Sequence, residues 1–313
     1  MEPNLRFGIS ERQSFFRRFL QWMDLLDPVN LFISIGSIEK SRQLLFTTED
    51  ASKHYLDNRR IKDAWNRSLS TVHPDSSKLI PTLFRPAAFL PVTAPVVIMS
   101  MMPAKGMNSM VLPQVCLYGY NTAFTITNGN ASYRLGSIEK ALLGVGVFAS
   151  SVFFGLIPHM VQMKYPLENF WLKKALPVVF LAQVSGMNVF ACRSFERVRG
   201  IEVMDKEGRV IGYSRKAGRK AVRDTAISRA VLFGTSALVP EVTIYFLKRT
   251  QFFPLTPLSL KMARVSFTLL IMGLMVPASF GMFPQVGQIQ CSKLEEEIQS
   301  STEETELFYN RGV

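Results

Sequence analysis

The sequence contains few of the residues from which metal sites and disulfide frameworks are built. It has only 3 cysteines and 3 histidines in 313 residues, and no two cysteines form a CxxC pair. Structural zinc and disulfide-stapled folds need closely spaced cysteine or histidine pairs. Cys116, Cys192 and Cys291 instead lie in or beside apolar stretches. We therefore predict inert thiols, no metal site and no cofactor.

The short motifs of common enzyme classes are also missing. HExxH, GxSxG and P-loop patterns do not occur, although these patterns carry metal, nucleophile and phosphate chemistry. The tripeptide His73-Pro74-Asp75, followed by Ser76, is shared with J-domain co-chaperones, but a J-domain needs a helix after this loop, whereas residues 78–81 soon lead towards the membrane. Proline presets a turn, and Asp75 or Ser76 can cap the next element of the chain. We predict a turn at this position and no catalytic residues in the chain.

Charge is missing from long stretches of the chain, and this absence is the strongest feature of the sequence. Uncharged stretches cover residues 86–104, 106–133, 141–163, 175–192 and 265–292, and the stretch 226–247 carries only Arg229 and Glu241. A helix needs about 20 apolar residues to cross the hydrocarbon core of a bilayer. The sequence therefore predicts an all-α polytopic membrane protein with five to six transmembrane helices, and we favour six.

The uncharged stretches also suggest how the chain is organised. We expect an amphipathic helical N-terminal region (1–85), first membrane helices (86–192), a polar hairpin with a basic helix (193–225), last membrane helices (226–291) and an acidic tail (292–313). Residues 201–212 alternate apolar and polar side chains around Lys206-Glu207-Gly208, a pattern that predicts a short β-hairpin insertion.

Three amphipathic helices are predicted in the N-terminal region. Phe15, Phe19, Trp22 and Leu26 recur at helical spacing, and further helices are expected over residues 34–47 and 58–72. Their apolar faces must pack on each other, on the membrane surface or on a partner protein.

The net charge of +12 is distributed around the apolar stretches. The basic residues flank these stretches, where anionic lipid headgroups attract lysine and arginine. No basic groove with interleaved aromatic residues is present, so we exclude nucleic acid as a partner. The distribution of lysine and arginine places the N-terminal region on the positive side of the membrane.

A few polar residues within the apolar stretches are candidates for function. On insertion scales, a carboxylate at the centre of a span costs about 2.5–3.5 kcal/mol, so Glu241 should be protonated, paired with a basic residue, or close to an interface. Asn121, Asn128 and Asn188 are the next candidates. Such residues either line a polar path that contacts a substrate or hydrogen-bond between helices.

The pattern as a whole resembles the sideroflexins, a family of mitochondrial inner-membrane proteins, over nearly the full length. The segments that carry the resemblance are residues 13–19 (QSFFRRF), Asp27-Pro28, residues 73–76 (HPDS), residues 200–208 (GIEVMDKEG), residues 212–214 (GYS), Ser228-Arg229 and residues 308–312 (FYNRG). The resemblance implies a multi-pass protein of the mitochondrial inner membrane that carries serine or similar small neutral amino acids.

The chain departs from the family pattern where uncharged polar groups would be expected. Leu117, Thr125 and Gly129 stand where the family has further asparagine and arginine residues. Residues 185–190 (SGMNVF) have lost one asparagine and a proline, and residues 236–238 (SAL) replace the family's Pro-Gly-Met. Because uncharged polar side chains can bind a zwitterion within a bilayer, these losses weaken the expectation of transport.

Two functions therefore remain open. The resemblance to a divergent branch of the family implies a scaffold that assists assembly of respiratory complex I and supports mitochondrial iron–sulfur homeostasis. Its partners would be complex I subunits or assembly factors, and the anionic lipids of the inner membrane. The alternative is a carrier of serine or a similar small neutral amino acid, with Asn121, Asn128, Asn188 and Glu241 as substrate contacts. We favour the scaffold.

Overall fold

A computed structural model describes residues 14–48, 59–102, 106–131, 136–165, 168–249 and 256–313 of the chain. It is mostly helical and has one small antiparallel sheet. The elements follow the chain in this order: helices α1 (Phe15–Leu25), α2 (Ile35–Thr48), α3 (Arg59–Thr71), α4 (Pro86–Ser100), α5 (Met107–Asn128), α6 (Ser137–Lys164), α7 (Phe170–Cys192) and α8 (Ser194–Arg199), strands β1 (Ile201–Met204) and β2 (Val210–Ser214), helices α9 (Arg215–Arg249) and α10 (Pro257–Gly281), strand β3 (Val286–Gln290), helix α11 (Glu296–Gln299) and strand β4 (Glu306–Asn310).

The N-terminal region forms the helices that its periodicity predicts. The Ser14 hydroxyl caps α1 by accepting a hydrogen bond from the Arg17 amide at 3.4 Å. Asp27 caps a short 3₁₀ turn at Pro28–Leu31, so the chain turns soon after α1 ends. Leu45 of α2 packs against Ile61 and Trp65 of α3. The junction between the second and third predicted helices, 49–58, lies outside the described residues.

Four described helices are long and apolar enough to cross a membrane: Ile138–Lys164, Trp171–Cys192, Arg215–Arg249 and Pro257–Gly281. Helix α4 has 15 residues and would extend about 22 Å, which is shorter than the hydrocarbon core of about 30 Å. Helix α5 has 22 residues, but polar side chains lower its mean hydropathy. The expected count of five to six spans is therefore not confirmed, and four spans are supported.

The aromatic core joins helices that are distant in the chain. Phe89 of α4 lies 4.9 Å from Phe124 of α5 and 5.4 Å from Phe280 of α10, measured between ring centroids. The guanidinium carbon of Arg229, in α9, lies 4.2 Å from the centre of the Phe280 ring. A buried cation is stabilised by the negative faces of such rings. Helices α4, α5, α9 and α10 therefore meet around one arginine.

Helix α9 is continuous from the basic segment into the apolar segment. The boundary that we predicted at residue 225 therefore lies inside a helix. Helix α9 also approaches α7 closely, because a Cβ atom at Gly186 would lie only 3.2 Å from the Ala226 carbonyl oxygen. Small residues allow this approach between membrane helices.

The predicted hairpin is present and belongs to a larger sheet. Strands β1 and β2 pair antiparallel, with Ile201 opposite Ser214, and Gly208 in the turn has a φ of +79°, which favours glycine. Strand β4 pairs with both β1 and β3, and the strand order is β2-β1-β4-β3. The acidic tail therefore supplies an inner strand of the sheet, which the sequence did not predict.

Candidate functional site

Asn188 connects three helices of the bundle. It is buried in α7, and its amide donates to the Thr122 hydroxyl of α5 at 2.8 Å and to the Ser151 hydroxyl of α6 at 3.0 Å. The Cys192 thiol, one turn later in α7, lies 3.8 Å from the Asn188 amide oxygen and donates to it. Hydrogen bonds of this kind satisfy polar groups where lipid offers no partner.

The other two predicted asparagines have different surroundings. The buried Asn128 amide donates to the carbonyl oxygens of Phe84 and Phe124, both at 3.0 Å, and so fastens the end of α5. Asn121 is also buried, and its amide nitrogen has no hydrogen-bond partner among the described residues. The three asparagines are not hydrogen-bonded to one another in the described part of the chain.

Glu241 is paired with two cations. Its carboxylate oxygens lie 2.7 Å from Lys174 Nζ and 2.9 Å from Arg264 Nε. Lys174 is near the start of α7 and Arg264 is near the start of α10. Each cation therefore lies about 6–11 Å along its helix from the first residue. The sequence left Glu241 protonated, paired with a basic residue, or close to an interface. The structure shows Glu241 paired with basic residues, and these residues lie towards one end of their helices.

We expect Glu241→Gln to lower the free energy of unfolding by about 1–3 kcal/mol, because two cations lose their shared counter-ion. Lys174 and Arg264 are partly exposed, which limits the loss. Denaturant unfolding of the purified protein in detergent measures it. Glu39→Gln is the control, since Glu39 pairs with Arg42 at an exposed position and should change stability by less than about 1 kcal/mol. Equal stability of the two variants would contradict the expected role of the pair.

The residues 73–76 form the turn that the sequence predicts. Asp75 and Ser76 donate their backbone N–H groups to His73 Nδ1 at 3.2 and 3.3 Å. His73 Nε2 lies 2.7 Å from the Gly129 carbonyl oxygen. The Asp75 carboxylate accepts from the Asn310 amide at 2.6 Å. The turn therefore links the end of α5 to strand β4.

A buried ion pair beside this turn was missed by sequence reasoning. Arg193 and Glu196 are 1% and 0% exposed, and Arg193 Nη2 lies 2.6 Å from Glu196 Oε2. Arg193 Nε donates to Glu196 Oε1 at 2.7 Å, which makes the pair bidentate. The same carboxylate accepts from the Asn130 side chain at 3.0 Å, and Arg193 also donates to the Arg311 carbonyl oxygen at 2.6 Å. The pair therefore joins α7, α8, the segment after α5 and the C-terminal residues.

A cavity of about 820 Å³ opens next to the ion pair. Its walls include His73, Lys140, Cys192, Arg193 and Glu202. Cys192 lines the cavity and also contacts Asn188. The cavity therefore comes within one helical turn of Asn188, which is one of the predicted substrate contacts.

The cavity wall carries both signs of charge. Lys78 and Lys140 are exposed lysines on its wall, and Asp75 and Glu202 contribute carboxylates. Burial raises the pKa of Glu202, and the charge of Asp75 raises it further. The Tyr213 hydroxyl donates to Glu202 at 3.2 Å. A wall of this composition can accommodate water or a small zwitterion.

The described ranges contain no group of three or more His, Cys, Asp or Glu side chains placed to hold a metal ion. The turn and the ion pair hold the fold together through hydrogen bonds and charge. The cavity is the part of this region that is open to a ligand.

Comparison with known proteins places this architecture in a family. The family model described as sideroflexins matches residues 6–313. The chain is 76% identical to sideroflexin-4 of Mus musculus over the full length of both proteins, and 62% identical to sideroflexin-4 of Homo sapiens over all of this chain and 93% of the human protein. It is 26% identical to sideroflexin-5 of Homo sapiens over 97% of this chain and 91% of that protein. No solved structure gives a significant match. With its apolar helices, this chain is a multi-pass membrane protein that belongs to the sideroflexin family.

Proposed function

We propose that the protein acts in the mitochondrial inner membrane as a scaffold for assembly of respiratory complex I, and that it supports mitochondrial iron–sulfur homeostasis through that role. The proposal rests on the resemblance to the divergent branch of the family and on the relatives that carry the name sideroflexin-4. Its partners are complex I subunits or assembly factors, and the anionic lipids of the inner membrane.

One structural observation supports a scaffold over a carrier. Three of the four predicted substrate contacts already have internal partners: Asn128 binds backbone carbonyls, Asn188 binds two hydroxyls, and Glu241 binds two cations. A substrate would have to displace these interactions, and the unpaired groups would be left in a medium without water. The polar groups therefore serve cohesion between helices.

A second function is favoured by a different observation. The cavity reaches Cys192, which contacts Asn188, and the amide nitrogen of Asn121 has no described partner. A carrier of serine or a similar neutral amino acid would need this kind of connection between an aqueous cavity and uncharged polar groups. This alternative remains open to a direct test.

Uptake of labelled serine into liposomes containing the purified protein separates the two functions. For a scaffold, we expect uptake equal to that of protein-free liposomes, and crosslinking mass spectrometry in intact mitochondria should identify complex I assembly intermediates as neighbours. Loss of the protein should also reduce assembled complex I on native gels.

The variant Asn188→Ala makes the uptake test specific. Its control is Asn108→Ala, at an exposed position at the start of α5. Saturable uptake that is lost in Asn188→Ala and retained in Asn108→Ala would establish the carrier and overturn the scaffold proposal.

A further inference from the structure

Large apolar side chains are exposed along the first 22 described residues, 14–35. In α1 these include Phe16, Leu20 and Met23, and after α1 they include Val29, Phe32 and Ile35. Phe32 reaches 86% exposure, and Phe16 reaches 65%. A concentration of exposed large apolar side chains normally marks an interaction site.

Helix α1 is fixed at the end of a membrane span. The Trp22 ring stacks on Phe280 with 4.9 Å between ring centroids. Arg18 donates from Nε to the Gly281 carbonyl oxygen at 2.9 Å and from Nη2 to the Met282 carbonyl oxygen at 3.3 Å. Because α10, a helix long and apolar enough to span a membrane, ends at Gly281, α1 packs against one end of that helix.

The turn that follows α1 is held at the same end of the bundle. Arg85 is buried immediately before α4, and its guanidinium donates to the carbonyl oxygens of Asn30 and Leu31 at 3.0 and 3.2 Å. Phe89, one turn into α4, contacts the Phe280 ring. Both exposed apolar segments are therefore attached to helices at the membrane end that also carries Phe280.

The apolar side chains of α1 are not confined to the face that packs on the rest of the protein, because some of them are exposed on a neighbouring face. At about 100° per residue, Phe16, Leu20 and Met23 fall within an arc of about 60°. This arc lies between the packed side, marked by Trp22, and the charged side, which carries Arg17 and Asp24. A helix with one apolar flank and one charged flank is typical of the membrane interface.

We propose that α1 and the turn after it form an interfacial anchor, in which the apolar flank inserts between lipid headgroups. Lipid is the occupant that the position favours, since α1 is packed on the end of a span and is therefore surrounded by headgroups. The Arg17 guanidinium, on the charged flank, can reach lipid phosphates. With α1 in the lipid interface, α2 and α3 remain as the N-terminal surface for protein partners. The proposal of an anchor holds whether the protein acts as a scaffold or as a carrier.

Collision measurements on spin labels test the anchor in the full chain. Single cysteines replace Leu20 or Met23 on the apolar flank, and Arg17 or Asp24 on the charged flank as matched controls. The background is Cys116→Ala, because Cys116 is exposed whereas Cys192 and Cys291 are buried, and the background chain without an added cysteine serves as the blank. The protein is reconstituted in phosphatidylcholine vesicles.

We expect labels at positions 20 and 23 to collide several-fold more with oxygen, relative to a water-soluble nickel chelate, than labels at positions 17 and 24. Equal accessibility to nickel on both flanks would overturn the anchor. Shielding of positions 20 and 23 from both reagents would also overturn it, because it would show that protein, including a second copy of this chain, covers the flank.

A second measurement uses the chain without substitutions, in case a cysteine variant fails to fold. A lipid that carries a photoreactive diazirine in its upper acyl chain should modify residues 16–23 and 29–35 in the reconstituted protein. Absence of modification there, with strong modification of the exposed residues of α6, would count against insertion of the anchor.

Discussion

Glu196→Ala should lower the free energy of unfolding by about 3–5 kcal/mol, which is the usual effect of breaking a fully buried ion pair by removing one partner. Glu196 is the bidentate acceptor of Arg193. Without it, a guanidinium that is 1% exposed would lack a counter-ion. The Asn130 side chain and backbone N–H would also lose an acceptor, which adds a desolvation penalty.

Chemical unfolding in detergent micelles measures the loss, and two further variants show its origin. Glu207→Ala removes a carboxylate whose partner, Arg209, is exposed, so its effect should stay below about 1 kcal/mol. The double variant Arg193→Met, Glu196→Met removes both charges and should recover part of the stability, since a buried pair is replaced by apolar volume. A Glu196→Ala protein as stable as Glu207→Ala would show that the pair does not hold this junction.

The features that the sequence predicted are encoded locally. Four of the six apolar stretches coincide with described helices long enough to span a membrane, because a span needs many consecutive apolar residues. The hairpin was predicted because segments in which apolar and polar residues broadly alternate flank a turn at Gly208. The turn at residues 73–76 was also predictable, since proline and aspartate fix its local geometry.

The features that the sequence did not predict depend on distant residues. Arg193 binds the carbonyl oxygen of Arg311, 118 positions later, and Asp75 binds Asn310, 235 positions later. Periodicity reports which face of an element is buried, but it does not report which distant element covers that face. For the same reason the cost of Glu241 in a span was predictable, whereas its partners Lys174 and Arg264 were not.

Helix α4 and strand β4 show two further limits of pattern reading. Residues 86–104 lack charge, but the helix ends at Ser100, so absence of charge overestimated its length. In β4, residues 307–310 are all buried, and so the strand lacks the alternation of a half-exposed strand. The surrounding glutamates made the segment resemble a solvated tail.

Removal of β4, by ending the chain at Thr305, should abolish the packing of the sheet. Strand β4 lies between β1 and β3, so its loss removes the only described strand partner of β3 and leaves β1 paired with β2 alone. The truncated chain also lacks Asn310, the partner of Asp75, and Arg311, whose carbonyl oxygen binds Arg193. We expect amide protons in residues 201–204 to exchange at least as fast as those of the helix ends, and trypsin to cleave within residues 193–223.

The point variant Leu307→Ala tests the same packing without removing hydrogen bonds of the backbone. Leu307 is fully buried among Ile201, Val203 and Tyr309, so the substitution should lower the free energy of unfolding by about 2–5 kcal/mol. Val210→Ala, at a half-exposed position in β2, is the matched control and should change stability by about 0.5 kcal/mol or less. If Leu307→Ala unfolds at the same denaturant concentration as Val210→Ala, β4 does not belong to the core that joins the tail to the hairpin. In that case, the truncated chain should also retain slow exchange in residues 201–204.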